Sequence, residues 1–406
     1  MRVVVIGSGI VGAGAAYHLS RRGAAVTVLD GGARGEATRA GAGIVCPWVD
    51  HPEDDAWYRL TSQGARSYPA LVEELGEDIG YAKVGALLVA EDPADLEPVR
   101  ALLRRRHADA PEMGEITDVS SPTELFPPLS DTLSALLVPG AARVDGCSVR
   151  EALLRAAVAR GARVLTGTAA LTPGGEVLLY PLETTPEGGA GEGGPAAPAT
   201  GAADGSWRQA APLSPAPGAP GGPQPRRPAG EGVPIEADAV IVAAGAWTGE
   251  VCRPLGVELP VFPRRGQILH ATLEGVDTAW WPIVLPRIGP YLLGFPDSRV
   301  VIGATVEDVG FSPRVTMGGL EEVIEAGLRV APGLFNATVT ETRVGLRPVY
   351  APGSALIGPL TDRVVVATGL SAYGLTAGPF TGEIAAALAL GETPPLDITP
   401  YAPTGH

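Results

Sequence analysis

A short run dominated by β-branched residues, Arg2 to Ile6, passes directly into Gly7-Ser8-Gly9-Ile10-Val11-Gly12. Ala13 to Arg22 is then rich in helix formers, Gly23 stops it, and Ala25 to Asp30 is a second apolar run ending in an acid. Strand, glycine turn, helix, strand and terminal acid in that order make a complete β-α-β unit of about 30 residues. Such a unit commits the chain to an α/β fold around a buried parallel sheet.

Each part of the unit has a physical task. Gly7 permits the tight turn, Gly9 lets the backbone approach a pyrophosphate, and Gly12 lets the helix pack close to the strand. The amides of Ile10 and Val11 sit at the positive end of the helix, where phosphates bind. Asp30 is placed to accept hydrogen bonds from ribose hydroxyls. The unit specifies a dinucleotide without distinguishing FAD from NAD. The next stretch, GGARGEATRAGAGIVCPW from Gly31 to Trp48, is a long run of small residues. In an NAD dehydrogenase another helix and strand normally follow at once, whereas small residues let the backbone lie against a large flat cofactor. An ordinary glycine-rich loop has the same composition.

Composition narrows the function classes. At 406 residues the chain suits two interlocked domains, and 45% hydrophobic residues suffice for a buried interior. A formal net charge of −15 repels nucleic-acid phosphates. Cys46, Cys147 and Cys252 are far apart and odd in number, so neither a disulfide framework nor a metal site is expected. The apolar start is only a strand long, unlike a secretory leader, and no run reaches the ~20 apolar residues of a membrane span. A soluble chain in a reducing cytoplasm is the expectation.

At this point the residues resemble a known family. Val4 to Gly12 and the run Ala37 to Val45 are similar to the opening of the D-amino-acid oxidase superfamily. Ala239 to Thr248, AVIVAAGAWT, resembles its strand and turn beneath the flavin. VIGATVEDVGF, from Val301 to Phe311, and VGLRPVYAPGSALIGP, from Val344 to Pro359, resemble the glycine oxidase branch. VVVATGLSAYGLTAGPFTG, from Val364 to Gly382, resembles the strand and helix that close over the isoalloxazine. The resemblance implies an α/β (α+β) fold, with a Rossmann-like FAD domain interleaved with a substrate domain on a large antiparallel sheet. We place the FAD domain at 1–80, 141–260 and 343–400, and the substrate domain at 81–140 and 261–342. Strands are expected at Gly85 to Ala90, Gly266 to Thr272, Tyr291 to Gly294 and Val300 to Thr305, and helices at Ser148 to Arg160 and Leu320 to Val330. Residues 185–233 are mostly Gly, Ala and Pro and read as a disordered insertion with no part in the chemistry.

The same resemblance implies site residues. Besides the first turn and Asp30, it sets Ala37, Thr38, Gly41, Ala42, Gly43 and Ile44 along a non-covalent FAD, with Ala170, Ala244, Gly245 and Trp247 beyond them. Gly369, Tyr373, Gly374, Leu375 and Thr376 approach the ring, and the helix after Pro379 stabilises negative charge on it. Arg347 holds the substrate carboxylate, since its planar fork matches both oxygens, and also borders the cofactor. Tyr291 is the second carboxylate ligand, Arg343 is structural, and Trp280 and Trp281 are candidates to roof the pocket. The implied reaction is hydride transfer from the carbon beside an amine nitrogen, giving an imine, in a small amino acid or related amine. Oxygen or another electron acceptor completes the cycle. A bulkier amine with a non-oxygen acceptor, and a flavin-binding subunit without turnover, are the alternatives. The family pattern is not matched throughout. Leu370 and Ala372 replace a histidine and an arginine, no cysteine follows Pro348 to bond the flavin, and the single lysine, Lys83, falls outside the motifs.

Overall fold

Val3 and Val5 pack to one side of the first strand, Val4 and Ile6 to the other, and all are buried. That double burial puts Arg2–Ile6 inside a six-stranded sheet. The computed structural model describes residues 1–181, 231–353 and 355–403. The strand order is Leu356–Pro359, Val364–Thr368, Ala239–Val242, Arg2–Ile6, Ala25–Asp30 and Arg163–Thr166. All pairs are parallel except the first, at the edge. One face is covered by the helices Ile10–Arg21, Asp55–Leu75, Gly146–Val158 and Gly374–Ala389. The other face carries an antiparallel sheet of Thr168–Leu171, Val177–Tyr180 and Val233–Ile235.

The first helix starts at Ile10, three residues before the expected Ala13. It seats directly on the turn: a Cβ on Gly12 would lie 1.9 Å from the Gly7 carbonyl oxygen. Gly7 itself has φ +104°, which disfavours any side chain. The helix expected at Ser148 starts at Gly146, because the Asp145 carboxylate caps it by accepting from the amides of Cys147 and Ser148. The helix expected from Leu320 begins at Met317 under a Thr316 cap.

The second large sheet has eight strands, in the order Thr338–Tyr350, Val261–Thr272, Arg299–Gly303, Tyr291–Phe295, Ile283–Pro286, Ala86–Ala90, Ser134–Val138 and Thr117–Val119. It is antiparallel except where Ile283–Pro286 runs parallel to Ala86–Ala90. Thr338–Tyr350 pairs along its length with Val261–Thr272. The sequence boundary drawn at 343 therefore falls within a continuous strand. A small sheet of Ile44–Val45, Ala142–Arg143 and Ala82–Lys83 joins the two bodies. The proposed insertion lies outside the described residues up to 230. Its expected end was set too late, because Val233 is already paired with Leu179.

Pro379 was expected to precede the last helix, yet it lies inside Gly374–Ala389. A proline there cannot donate to the carbonyl four residues back, Leu375. The buried Tyr68 hydroxyl donates to the Leu375 oxygen instead. The helix thereby passes through the proline, and its N-terminus falls at Gly374.

Candidate cofactor and active site

The two sheets enclose a cavity of about 1760 Å³. At one end is the turn after the first strand. The helix starting at Ile10 has no cap from its own Gly9, and Thr38 Oγ1 takes the Ile10 amide at 3.0 Å. Gly7, Gly9, Ile10 and Val11 line the cavity, whereas Gly12 is turned to the strand and does not. Its part is packing, not contact.

Asp30 lines the same end, and both of its oxygens are engaged. Oδ1 accepts from the Gly32 amide at 3.0 Å and Oδ2 from Arg150 at 2.9 Å. Burial pushes its carboxyl up, but the hydrogen bonds from Gly32, Ser8 and Arg150 win and hold it below the ordinary value. Arg150 also donates to the Ser8 hydroxyl at 2.6 Å and the Ser8 carbonyl at 2.7 Å, so it ties the glycine turn to the acid. Sequence reasoning missed Ser8 and Arg150, because an arginine inside a helix carries no local signal of what it reaches. It also missed Glu36, another lining residue, whose carboxyl is raised by burial.

The middle of the cavity is walled by Ala37, Thr38, Gly41, Ala42, Gly43 and Ile44 on one side, with Ala170, Ala244, Gly245 and Trp247 also lining it. The Thr376 hydroxyl donates to the Ile44 carbonyl at 2.9 Å and Thr368 to Gly245 at 3.0 Å, locking these walls to the last strand and helix. Gly369, Tyr373, Gly374, Leu375 and Thr376 all line it as well. The helix at Gly374 also starts without a side-chain cap. A Cβ on Gly374 would find only Ile10 Cγ2, at 3.9 Å, so the space beside it is open.

These features fit FAD. Two helix N-termini open into one long cavity, one beside Asp30 and the glycine turn, the other beside open backbone. The first set of donors suits a pyrophosphate and ribose. The second suits a ring that gains negative charge on reduction.

Beyond the second helix start, Arg347 and Tyr291 come together on one face of the eight-stranded sheet. Gly266 pairs with Gly345, and Arg264 with Arg347, so these side-chain positions share that face. The Arg347 guanidinium lies across Gly266: a Cβ there would sit 2.4 Å from Nη1 and Nη2. Tyr291 pairs with Gly303 and lies across it, with the hydroxyl 2.8 Å from the corresponding Cβ position. Burial raises the Tyr291 phenol above its ordinary value, against an opposing pull from Arg347, so it stays protonated. Arg347 Nη1 donates to the carbonyls of Thr305 at 3.1 Å and Arg265 at 3.3 Å. Its neighbours Arg264 and Arg265 are paired with Asp308 and Glu307. Among the described residues Arg347 pairs with no carboxylate.

At the rim, the Tyr373 hydroxyl lies 3.2 Å from both Asp50 Oδ2 and His51 Nε2. Asp50 and His51 line the cavity, though no motif pointed to them. Arg343 is tied to Glu341 and to the Arg39 carbonyl, the structural part expected of it. Trp281 packs on Phe126 in a core and Trp280 is exposed, so neither roofs the pocket. Lys83 lies in the small joining sheet, outside the cavity lining. No helix among the described residues is long and apolar enough to cross a membrane.

The fold and cavity define a dinucleotide-binding oxidoreductase, with Arg347 and Tyr291 lining the same cavity. The profile of the DAO family, described as FAD dependent oxidoreductase, matches residues 2–388. The chain belongs to that family and is an FAD-dependent oxidoreductase. It is 40% identical to the uncharacterized oxidoreductase YurR of Bacillus subtilis (strain 168), covering 99% of this chain and 98% of that protein. The crystal structure of iminodiacetate oxidase (IdaA) from Chelativorans sp. BNC1 is also 40% identical, with a TM-score of 0.84 and 99% of each chain covered. Glycine oxidase of Bacillus licheniformis is 26% identical over 96% of this chain and 92% of its own.

Proposed function

We propose that the chain oxidises the C–N bond of a small amino carboxylate, glycine-like or an N-substituted glycine, to the imine. The observation that carries this reading is Arg347: a cavity-lining cation whose described partners, two backbone carbonyls and the Tyr291 hydroxyl, are all neutral. A cation left uncompensated inside a pocket favours an anionic ligand, and its planar fork fits a carboxylate. The likeness to an iminodiacetate oxidase and to glycine oxidases supports the same substrate class.

FAD, when bound, supplies the two-electron acceptor. The protein's residues supply orientation. Arg347 and the protonated Tyr291 hold the carboxylate, which fixes the adjacent carbon relative to the cofactor space. Ile268, Leu285 and Ala304 give the pocket apolar walls that exclude water. Ala372 lines the cavity where the resembling family carries an arginine, leaving room for a substituent on the nitrogen. Oxygen or another acceptor regenerates the oxidised cofactor, and we assign a cytoplasmic location.

The test is anaerobic bleaching of the yellow protein by glycine, sarcosine, iminodiacetate and D-amino acids. Arg347→Ala should keep its FAD yet slow reduction by the best carboxylate substrate about 30- to 5,000-fold, the ~2–5 kcal/mol of a broken buried charge pair. Arg347→Lys should recover only part. Reduction of Arg347→Ala at the wild-type rate would remove the carboxylate from this position.

A further inference from the structure

We infer that Glu307 is a positioning residue for Arg347: from the opposite side of the sheet it fixes the two backbone carbonyls that aim the guanidinium, and so sets affinity for the substrate carboxylate. The inference rests on the carboxylate reading of Arg347.

Arg265 and Gln267 alternate with Arg264 and Gly266 along Val261–Thr272, so they point away from the cavity. Glu307 gathers them there. Its Oε1 accepts from Gln267 Nε2 at 2.9 Å, Arg265 Nε at 3.1 Å and the Thr305 hydroxyl at 2.7 Å. Its Oε2 accepts from Arg265 Nη2. Backbone bonds complete the stitch: Glu307 N donates to Arg265 O at 3.0 Å, Arg265 N to Glu307 O at 2.8 Å, and Thr305 N to Gln267 O at 3.2 Å. Gln267 N donates to Thr305 Oγ1 at 2.9 Å.

The two residues whose carbonyls hold Arg347 Nη1, Arg265 and Thr305, are both among the three that the Glu307 carboxylate grips directly, Gln267 being the third. Two neutral acceptors anchor one end of the guanidinium without cancelling its charge, and its other side-chain partner, the Tyr291 hydroxyl, is neutral as well. The charge that matches Glu307 is Arg265, on the far side, so the network steadies Arg347 without competing for it.

The experiment uses the FAD-loaded protein and acetate as a carboxylate probe, titrated through the flavin absorbance spectrum. Glu307→Gln removes the charge at constant shape. Acetate affinity should fall about 10- to 100-fold, the scale of a ligand group displaced by roughly an ångström, while FAD content is unchanged. Glu307→Asp keeps the charge but shortens the reach and should fall between; it also stands in if Glu307→Gln does not fold. In an Arg347→Lys background, where the two carbonyls no longer hold a fork, Glu307→Gln should cost little further acetate affinity. Wild-type acetate binding by Glu307→Gln, or an equal loss in the Arg347→Lys background, overturns the inference. If Arg347→Ala binds acetate as the wild type does, the carboxylate reading fails first, and with it the ground for this one.

Discussion

Gly266→Ala should disable carboxylate handling without touching any charge. The guanidinium nitrogens of Arg347 lie 2.4 Å from where the new Cβ would stand, and ordinary contact begins at 3.4 Å. The guanidinium must retreat by about 1 Å or swing out of the pocket, because the backbone behind Gly266 is held by Thr338–Tyr350 on one side and by the Thr305 to Glu307 segment on the other. Misplacing a binding group by ~1 Å costs about 100-fold, or ~2.7 kcal/mol, which lies within the range expected for deleting Arg347 outright. The assay is anaerobic stopped-flow reduction by the best amino carboxylate, with FAD content and thermal unfolding as controls. The double variant Gly266→Ala/Arg347→Ala supplies the sharper reading. With the arginine truncated, the methyl group has room, so the second change should add almost nothing. A Gly266→Ala enzyme reduced at the wild-type rate, or effects that add fully in the double variant, would refute the geometry of an arginine laid across a glycine.

The FAD should be released into solution by denaturation, since Val349, Tyr350 and Ala351 follow Pro348 with no cysteine among them; flavin that stays with the precipitated chain would contradict this. Replacing residues 185–230 by a short turn, with Val233 retained, should leave FAD content nearly unchanged, because Val177–Tyr180 and Val233–Ile235 already pair as a hairpin; loss of turnover in a folded, FAD-loaded variant would assign that segment a function. His270 is buried, its Nδ1 has no hydrogen-bond partner among the described residues, and burial followed by Arg343 and Arg299 pushes its pKa down to about 4. Its unfolded form binds a proton below about 6.5. Stability present above that pH should therefore fall as pH drops toward 4, with a contribution of up to ~1.4 kcal/mol per pH unit. Urea unfolding of His270→Leu should show a correspondingly shallower acid slope, and equal slopes would place the wild-type proton elsewhere.

The sequence made the cofactor end legible because its signals are local. The turn Gly7 to Gly12, the acid at Asp30 and the last strand each lie within a few residues of the element that positions them. Arg347 and Tyr291 were found through resemblance, not through pattern, and the structure brings them to one sheet face. What stayed hidden was long-range. Arg150 reaches Ser8 across 142 positions and Asp30 across 120, and Glu307 reaches Arg265 across 42. The start of the last helix was misplaced for the same reason. Proline is read as a boundary, and only the distant Tyr68 hydroxyl, which serves the Leu375 carbonyl, makes it an interior residue.

Gly266 and Gly303 show how strand register converts such distant choices into a site. In sequence each is an unremarked glycine in a strand, where its lack of a side chain is a small cost. Register places Gly303 opposite Tyr291, and sets Gly266 opposite Gly345, two residues from Arg347 on the same strand. Each absent side chain is where a neighbour's polar group lies down on the sheet instead of standing off it. A slip of one residue between Val261–Thr272 and Thr338–Tyr350 would set Arg265 or Gln267 beneath the guanidinium and lift it away. The meeting of Arg347 with a protonated phenol is therefore a property of the sheet's register, while Glu307, through Arg265, Gln267 and Thr305, ties Val261–Thr272 to the segment on its other edge.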